Sequence, residues 1–178
     1  MYTKVLTAAG IFALNSYGLA PADVEQFVAG VVFGLIQKDD LAQIQTCLKD
    51  AQGLETEIEE VIGDFSKGDL TDILKGVELV GKVIQELPAD LGDCEGMKAD
   101  VARIEAWAAI FSNPTKLVQT LLTNVVANFP KVSADATSIV SDFKAAKYYN
   151  SGDDIADLLV VALGPVPAQP ETLEMTQW

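Results

Sequence analysis

Ser66-Lys-Gly-Asp-Leu70 is a short polar stretch that separates two long rows of apolar residues. Gly68 is typical of a helix end, and Asp69 is typical of the N-cap of a following helix. The apolar residues on both sides recur at steps of three and four, which is the spacing of one helical face. They are Leu41, Ile44, Leu48, Ala51, Leu54, Ile58, Val61, Ile62 and Phe65 before the stretch, and Leu70, Ile73, Leu74, Val77, Val80, Ile84, Leu87 and Leu91 after it. The sequence therefore predicts an antiparallel helical hairpin that turns at residues 66–70.

The same spacing predicts further helices along the chain. The first helix of the hairpin should run for about seven turns. Pro88 should kink or break the second helix, because proline lacks a backbone donor and crowds the preceding turn. Apolar rows of helical spacing follow at residues 97–111, 117–129, 132–143 and 155–163. No stretch alternates with period two for long enough to require a strand, so we predict an all-α bundle of six to seven helices built from antiparallel hairpins.

An apolar run at residues 24–36 predicts one more helix of this bundle. The run is too short and too interrupted to span a bilayer. Gly30 and Gly34 are four positions apart and therefore share one helical face, where the absence of side chains allows a close helix contact. We interpret this segment as a buried helix.

The first twenty residues have the layout of a secretory signal peptide. Lys4 precedes an apolar run at residues 5–14, which is too short to span a bilayer, and small and polar residues follow. A cut after Gly18 satisfies the small-residue rule, with Ser16 two positions before it. The alternative is an amphipathic N-terminal helix that stays on the protein. We predict a signal peptide at residues 1–20, one helical domain at residues 21–163, and a secreted, extracellular protein.

The chain is acidic, with 26 Asp and Glu against 12 Lys and Arg and a formal net charge of −14. Lys4 is the only charged residue that signal-peptide removal takes away, so the net charge then becomes one unit more negative. Such a surface repels phosphate backbones and anionic lipid headgroups. We expect no nucleic-acid partner and no stable membrane insertion.

The chain contains no histidine. This excludes Ser-His-Asp and Cys-His catalysis, histidine-ligated zinc and the commonest general base. Asp153 and Asp154 follow a polar stretch, but the spacing and the closing glutamate of an EF-hand are missing, so we interpret them as caps of the last helix. We predict no catalytic residue, no metal site and no cofactor, and therefore a protein that is not an enzyme.

Cys47 and Cys94 are equidistant from the predicted turn, since their midpoint falls near residue 70. Residues equidistant from a tight turn are neighbours in an antiparallel hairpin, so the two sulfurs should meet. In a secreted chain such proximity favours a disulfide, which is worth about 4 kcal/mol on the chain-entropy estimate. A thiol nucleophile or a metal site lacks the histidine that either would use. Two free buried cysteines are the alternative.

The chain ends with the segment GPVPAQPETLEMTQW at residues 164–178. Three prolines within six residues exclude a regular helix there and predict an extended tail. Three apolar side chains follow, and they should pack on the domain or dock on a neighbouring molecule. The candidate assembly residues are Pro165, Pro167, Pro170, Leu173, Met175 and Trp178.

Five motifs span most of the chain after residue 20. They are Cys47-Leu-Lys-Asp50, Asp64-Phe65, Leu87-Pro-Ala-Asp-Leu-Gly-Asp-Cys94, Phe111-Ser-Asn-Pro114 and Tyr148-Tyr-Asn-Ser-Gly-Asp-Asp-Ile-Ala-Asp-Leu-Leu159. Together they resemble a group of small secreted helical proteins from ciliates and other protists. The resemblance implies secretion, a helical fold and a disulfide, without an assigned activity. Such proteins often carry a His-Val-Gly-Lys-Asp-like segment after the Asn-Pro turn, which this chain lacks, so no role of that segment is implied here.

These observations favour two functions of different classes. The first is a secreted structural or interaction protein, such as a self-assembling extracellular matrix or fibre subunit, whose tail docks on the next copy. The alternative is an extracellular carrier of lipids or other apolar ligands, because aliphatic helices with few aromatic residues can enclose a cavity. The expected partners are therefore a second copy of the chain or an apolar ligand.

Overall fold

The computed structural model describes residues 18–168, and over that range the chain is all-α, as predicted. The predicted signal peptide up to residue 17 and the tail from residue 169 lie outside the described residues. Eight α-helices occur within the range: α1 Pro21–Ile36, α2 Leu41–Cys47, α3 Ala51–Phe65, α4 Leu70–Asp90, α5 Lys98–Ala108, α6 Pro114–Ala127, α7 Phe129–Lys144 and α8 Tyr148–Leu163. A 3-10 helix, Ala109–Ser112, connects α5 to α6.

The predicted helical hairpin is confirmed, with α3 and α4 packed against each other on either side of the turn. Gly68 has a φ of +75° in this turn, a conformation that glycine adopts without strain. The carboxylate of Asp69 accepts a hydrogen bond from the backbone N–H of Asp72 at 2.9 Å and caps α4. Both end signals in the sequence therefore act as predicted.

The predicted count of six to seven helices is wrong, because the long helix expected at residues 41–65 is two helices. The chain leaves the helical path after Cys47, and α3 starts again at Ala51. Asp50 causes the restart, since its carboxylate accepts a hydrogen bond from the N–H of Gly53 at 2.8 Å. An aspartate competes with the helix for its own backbone and favours the N-cap over the interior.

Pro88 does not end its helix, and the predicted break there is wrong. Helix α4 continues to Asp90, and the N–H of Leu91 still donates to the carbonyl of Leu87 at 2.8 Å. The proline lies in the last turn of α4, where it removes one hydrogen bond and only two helical residues follow it.

The last helix is longer than predicted and begins at Tyr148. Asp153 and Asp154 are therefore inside α8, and their predicted role as caps is wrong. Two residues of the polar stretch before them are buried: the Ser151 hydroxyl donates to the carbonyl of Ile139 at 2.9 Å, and Gly152 faces α1. Tertiary contact here outweighs the low helix propensity of these residues.

Helix α1 is largely buried, as predicted, with nine of its 16 residues in the interior. Its most extensive contact is with α8. A Cβ atom at Gly30 would overlap the carbonyl oxygen of Tyr149, and one at Gly152 would overlap the carbonyl oxygen of Phe27. Gly34 lies against Ala156 in the same crossing. The two backbones touch directly, which confirms the close contact predicted from the spacing of Gly30 and Gly34.

Candidate functional site

Cys47 and Cys94 form the predicted disulfide, with Cα atoms 5.4 Å apart. Cys47 is the last residue of α2 and Cys94 lies in the turn after α4, so the bond ties the ends of two elements outside the hairpin. Cys94 is buried in the core and Cys47 is half-buried beside it. The disulfide therefore joins α2 to the turn after α4 at the core of the fold.

A polar network on one side of the molecule links the α1–α2 loop to α5. The Nζ of Lys38 lies 3.1 Å from the buried carboxylate of Asp40 and 2.8 Å from that of Asp100. The hydrogen bond to Asp100, joined by the contact with Asp40, raises the pKa of Lys38 above its ordinary value. Arg103 lies 3.3 Å from the other oxygen of Asp100. Sequence reasoning missed this network, because its members are about sixty residues apart and follow no local pattern.

The described start of the tail, residues 164–168, is fixed on the domain. We call this segment the tail root. The Trp107 indole N–H donates to the carbonyl of Gly164 at 2.9 Å, and the Nε of Arg103 donates to the carbonyl of Pro167 at 3.0 Å. Val166 is buried between these two anchors. The root is not helical, as predicted for Pro165 and Pro167. The remaining candidate assembly residues, Pro170, Leu173, Met175 and Trp178, lie outside the described residues.

The tail root follows α5 towards its N-terminal end. Arg103 precedes Trp107 by one helical turn, whereas its partner Pro167 follows Gly164 in the chain. The root then reaches the C-terminal turn of α1, where it lines a groove of about 320 Å³ with Gly34 and neighbouring residues. The direction of the tail root over residues 164–168 is thereby defined.

Helix α6 presents three rows of side chains to three different surroundings. Leu117, Leu121 and Val125 are buried in the core. A second row faces the end of α8: Asn124 donates to the carbonyl of Ala162 at 2.9 Å, and Lys116 and Thr120 border a groove with Leu163. The third row consists of Val118, Leu122 and Val126, which are 45%, 49% and 53% exposed. We call this third row the α6 apolar row.

The α6 apolar row corrects one detail of the sequence interpretation. Leu122 and Val126 are among the apolar residues whose spacing predicts the helix at residues 117–129, yet both are exposed. Among residues 18–168 the members of this row are the large apolar side chains that remain exposed. Isolated exposed apolar residues are ordinary, but a continuous row on one helix is typical of an interaction site.

The stretch of sequence that contains this row has no acidic residue. Residues 114–134 contain Lys116 and Lys131 but no Asp or Glu, in a chain that has 26 acidic residues. A single residue, Asn128, separates α6 from α7. Pro130 and Lys131 lie in the first turn of α7. This neutral to basic stretch was visible in the sequence, but only the structure shows that its apolar row is exposed.

The comparisons with known proteins identify a family. A sequence model described as SctB-like, secreted protein B-like, matches residues 11–163, which is most of the chain and ends with α8. The chain belongs to the SctB-like family. No curated protein and no solved structure matches it.

Membership of the SctB-like family agrees with the predicted secretion and with the observed disulfide. It supports the secreted part of the resemblance found in the sequence, whereas the link to ciliates and other protists stays a prediction. The tail at residues 164–178 lies beyond the matched span.

Acidic side chains of the SctB-like chain cluster where α8 packs on α7. Burial raises the pKa of Asp154 to about 6, and the nearby carboxylates of Asp142, Asp153, Asp157 and Asp135 add to the shift. Lys131 offsets part of this charge by pairing with Asp135 at 2.8 Å. Within residues 18–168 no three His, Cys, Asp or Glu side chains converge closely enough to hold a metal ion. The carboxylates of this cluster therefore repel one another.

The grooves between helices of this SctB-like protein are open to solvent, with volumes of about 280 to 410 Å³. One of about 330 Å³ lies beside the α6 apolar row, between α4 and α6. It is lined by Glu78, Gly81, Lys82, Gln85, Phe111, Pro114, Leu117 and Val118. In the described part of the chain, none of the helices has both the length and the apolarity of a membrane span.

Proposed function

We propose that this SctB-like protein is a secreted structural protein without catalytic activity, whose copies associate through the C-terminal segment at residues 164–178. An extracellular matrix or fibre is the kind of assembly that such a subunit builds. The family supports secretion, and the charge and tail of the chain support an interaction role.

The tail root is the observation that carries this proposal. Hydrogen bonds from Trp107 and Arg103, together with the burial of Val166, hold residues 164–168 on the domain. A binding segment that starts from a fixed point loses less conformational freedom on docking than one on a loose linker. Leu173, Met175 and Trp178 then follow within ten residues of this fixed point.

The composition of the chain supports the absence of catalysis in this proposal. There is no histidine, and both cysteines are consumed in the disulfide. The strongest pKa shift in the described residues belongs to Asp154, and repulsion within an acidic cluster contributes to it beside burial. A catalytic carboxylate would need a partner group aimed at a substrate in a cleft.

Removal of residues 169–178 tests the proposal. We expect the full chain to form larger species as its concentration rises, and the shortened chain to sediment as a monomer. Sedimentation velocity and electron microscopy measure the difference, and circular dichroism verifies that the shortened chain is folded. Full chains that remain monomeric at all concentrations, or shortened chains that associate equally well, would contradict the proposal.

Trp107→Phe is a milder variant of the same experiment. It keeps an aromatic ring beside Phe111 but removes the N–H that binds Gly164. Loss of one such hydrogen bond should weaken association by about two- to tenfold. An unchanged association constant would show that the anchoring of the root does not contribute.

A carrier of apolar ligands is the alternative function that the sequence left open. The grooves of the described residues have the volume of small ligand sites, but they are open and carry charged side chains such as Glu78 and Lys82. We therefore place this function second. Native mass spectrometry of the secreted protein tests it, because a carrier should retain bound lipid.

A further inference from the structure

We propose that the α6 apolar row is the surface that receives the C-terminal segment, residues 169–178, of a second copy of this chain. This inference rests on the proposed function, and it adds the location of the receiving surface.

The apolar character of the two partners is complementary. Val118, Leu122 and Val126 lie one turn apart along α6, so the row extends for about 12 Å at 1.5 Å per residue. The segment at residues 169–178 carries Leu173 and Met175 and ends with Trp178. Burial of half-exposed aliphatic side chains against these groups would remove apolar surface from water on both partners.

The charges of the two partners are also compatible. The segment at residues 169–178 contains Glu171 and Glu174 and no basic residue, whereas residues 114–134 contain no acidic residue. Lys116 faces α8 on the other side of α6 and Lys131 is paired with Asp135, so the row offers the segment low repulsion rather than an ion pair. Elsewhere the surface of this chain is dominated by carboxylates, which would repel the segment. The stretch that includes α6 is therefore the most favourable surface for an acidic, apolar peptide.

A groove at one end of the row adds a place for a large side chain. Val118 borders the groove of about 330 Å³ between α4 and α6, and Phe111 and Leu117 form apolar parts of its lining. Lys82 and Glu78 stand at its α4 side. An aromatic residue such as Trp178 would find an apolar wall there.

The direction of the tail root favours a second copy over the same chain. Positions two apart on a helix are about 200° apart around its axis. Lys116, Thr120 and Asn124 face the end of α8, where the root begins, so the apolar row lies on the far side of α6. The root then runs along α5 towards α1 and away from α6. A neighbouring molecule can present its segment to this face directly, and such a heterologous contact repeats from copy to copy.

Photo-cross-linking of the full chain tests the inference. Thr176 is replaced by p-benzoyl-phenylalanine, and equal amounts of ¹⁴N- and ¹⁵N-labelled protein are mixed and irradiated. We expect cross-links to residues 114–127 that join one light and one heavy chain. Leu122→Asp should reduce this cross-link at least about tenfold, because it places a carboxylate in the row, opposite an acidic segment.

Gln52→Asp is the matched control, since it adds the same charge at an exposed position of α3. It should leave the cross-link unchanged, and equal thermal unfolding of the two variants shows that both are folded. Cross-links to other helices, cross-links within one chain only, or no effect of Leu122→Asp would overturn the inference while tail-dependent association stands. Association that requires Leu122 but not residues 169–178 would mean that α6 pairs with α6, and it would contradict both proposals.

Discussion

Gly30 has no side chain, and the carbonyl oxygen of Tyr149 occupies the space where a Cβ would be. Gly152 has the same relation to Phe27 on the opposite helix. Because backbone atoms on both sides are part of helices, neither can move away at small cost. The contact between α1 and α8 therefore requires glycine at both positions, because a methyl group at either would overlap the backbone of the other helix.

Gly30→Ala should destabilise the protein by about 3 kcal/mol or more, since the added methyl meets backbone rather than a flexible side chain. Gly63→Ala is the matched control within α3, because no atom lies within 4 Å of a Cβ at Gly63. There, alanine should stabilise the protein by about 0.5 to 1 kcal/mol through its higher helix propensity. Urea unfolding measures both changes, and equal effects of the two substitutions would contradict this account of the crossing.

Asp154 makes stability depend on pH. Its pKa in the folded protein is about 6, above the ordinary value of 3.8, so the folded state holds the proton more tightly than the unfolded chain. The free energy of unfolding should therefore fall as the pH rises from about 4 to about 6, and the loss should persist at neutral pH. Protonation in this window removes the cost of burying a charged carboxylate and also relieves repulsion from Asp142, Asp153, Asp157 and Asp135.

Asp154→Asn should raise the melting temperature at pH 7.5 and change it little at pH 4. Asp93→Asn is the control of opposite sign, because the hydrogen bond with Lys49 lowers the pKa of Asp93. That substitution should give no gain at pH 7.5. Thermal unfolding at the two pH values measures these differences, and a pH-independent gain from Asp154→Asn would show that its charge is not responsible.

At the scale of elements, the helices follow from apolar spacing and from end signals that act within a few residues. Asp69 caps α4 and Asp50 caps α3 through contacts three residues away. The α3–α4 hairpin and the meeting of Cys47 with Cys94 follow from the position of the turn between them. The disulfide lies outside the hairpin and constrains the short α2 and the turn after α4.

Replacement of both cysteines by alanine should lower the free energy of unfolding by about 4 kcal/mol, because the bond closes a long loop in the unfolded chain. The same loss should follow reduction of the unmodified protein by dithiothreitol. The double variant itself serves as the control, since dithiothreitol should not change its unfolding midpoint. Equal stability of the reduced and oxidised proteins would contradict this account, since the bond would then give no net destabilisation of the unfolded chain.

At the scale of the whole molecule, charge decides how copies approach one another. Each copy carries a formal charge of −14, whereas residues 114–134 carry two lysines and no carboxylate. Repulsion sums over all carboxylates and acts at long range, while the proposed attraction involves few groups in contact. Salt should therefore screen the repulsion more than the attraction.

We expect self-association of the full chain to strengthen when the ionic strength rises from about 0.02 M to about 0.15 M, a range in which the Debye length shortens to about 8 Å. Sedimentation velocity at fixed protein concentration measures this change. Leu122→Asp is the control, because its weaker association should persist at the higher salt concentration if apolar contact contributes. Association that weakens steadily with salt would indicate that ion pairs dominate the contact.

The sequence by itself determined the helical class, the turn at residues 66–70, the disulfide pairing, the burial of α1 and the non-helical start of the tail. These features depend on local helix propensity, on the spacing of apolar residues and on the position of a turn. Residues close together in the sequence specify all three. Only the tertiary structure decided that α8 begins at Tyr148 and that Val118, Leu122 and Val126 stay exposed beside a buried row. Their surroundings come from residues distant in the chain, because whether an apolar side chain is covered depends on which helix packs over it.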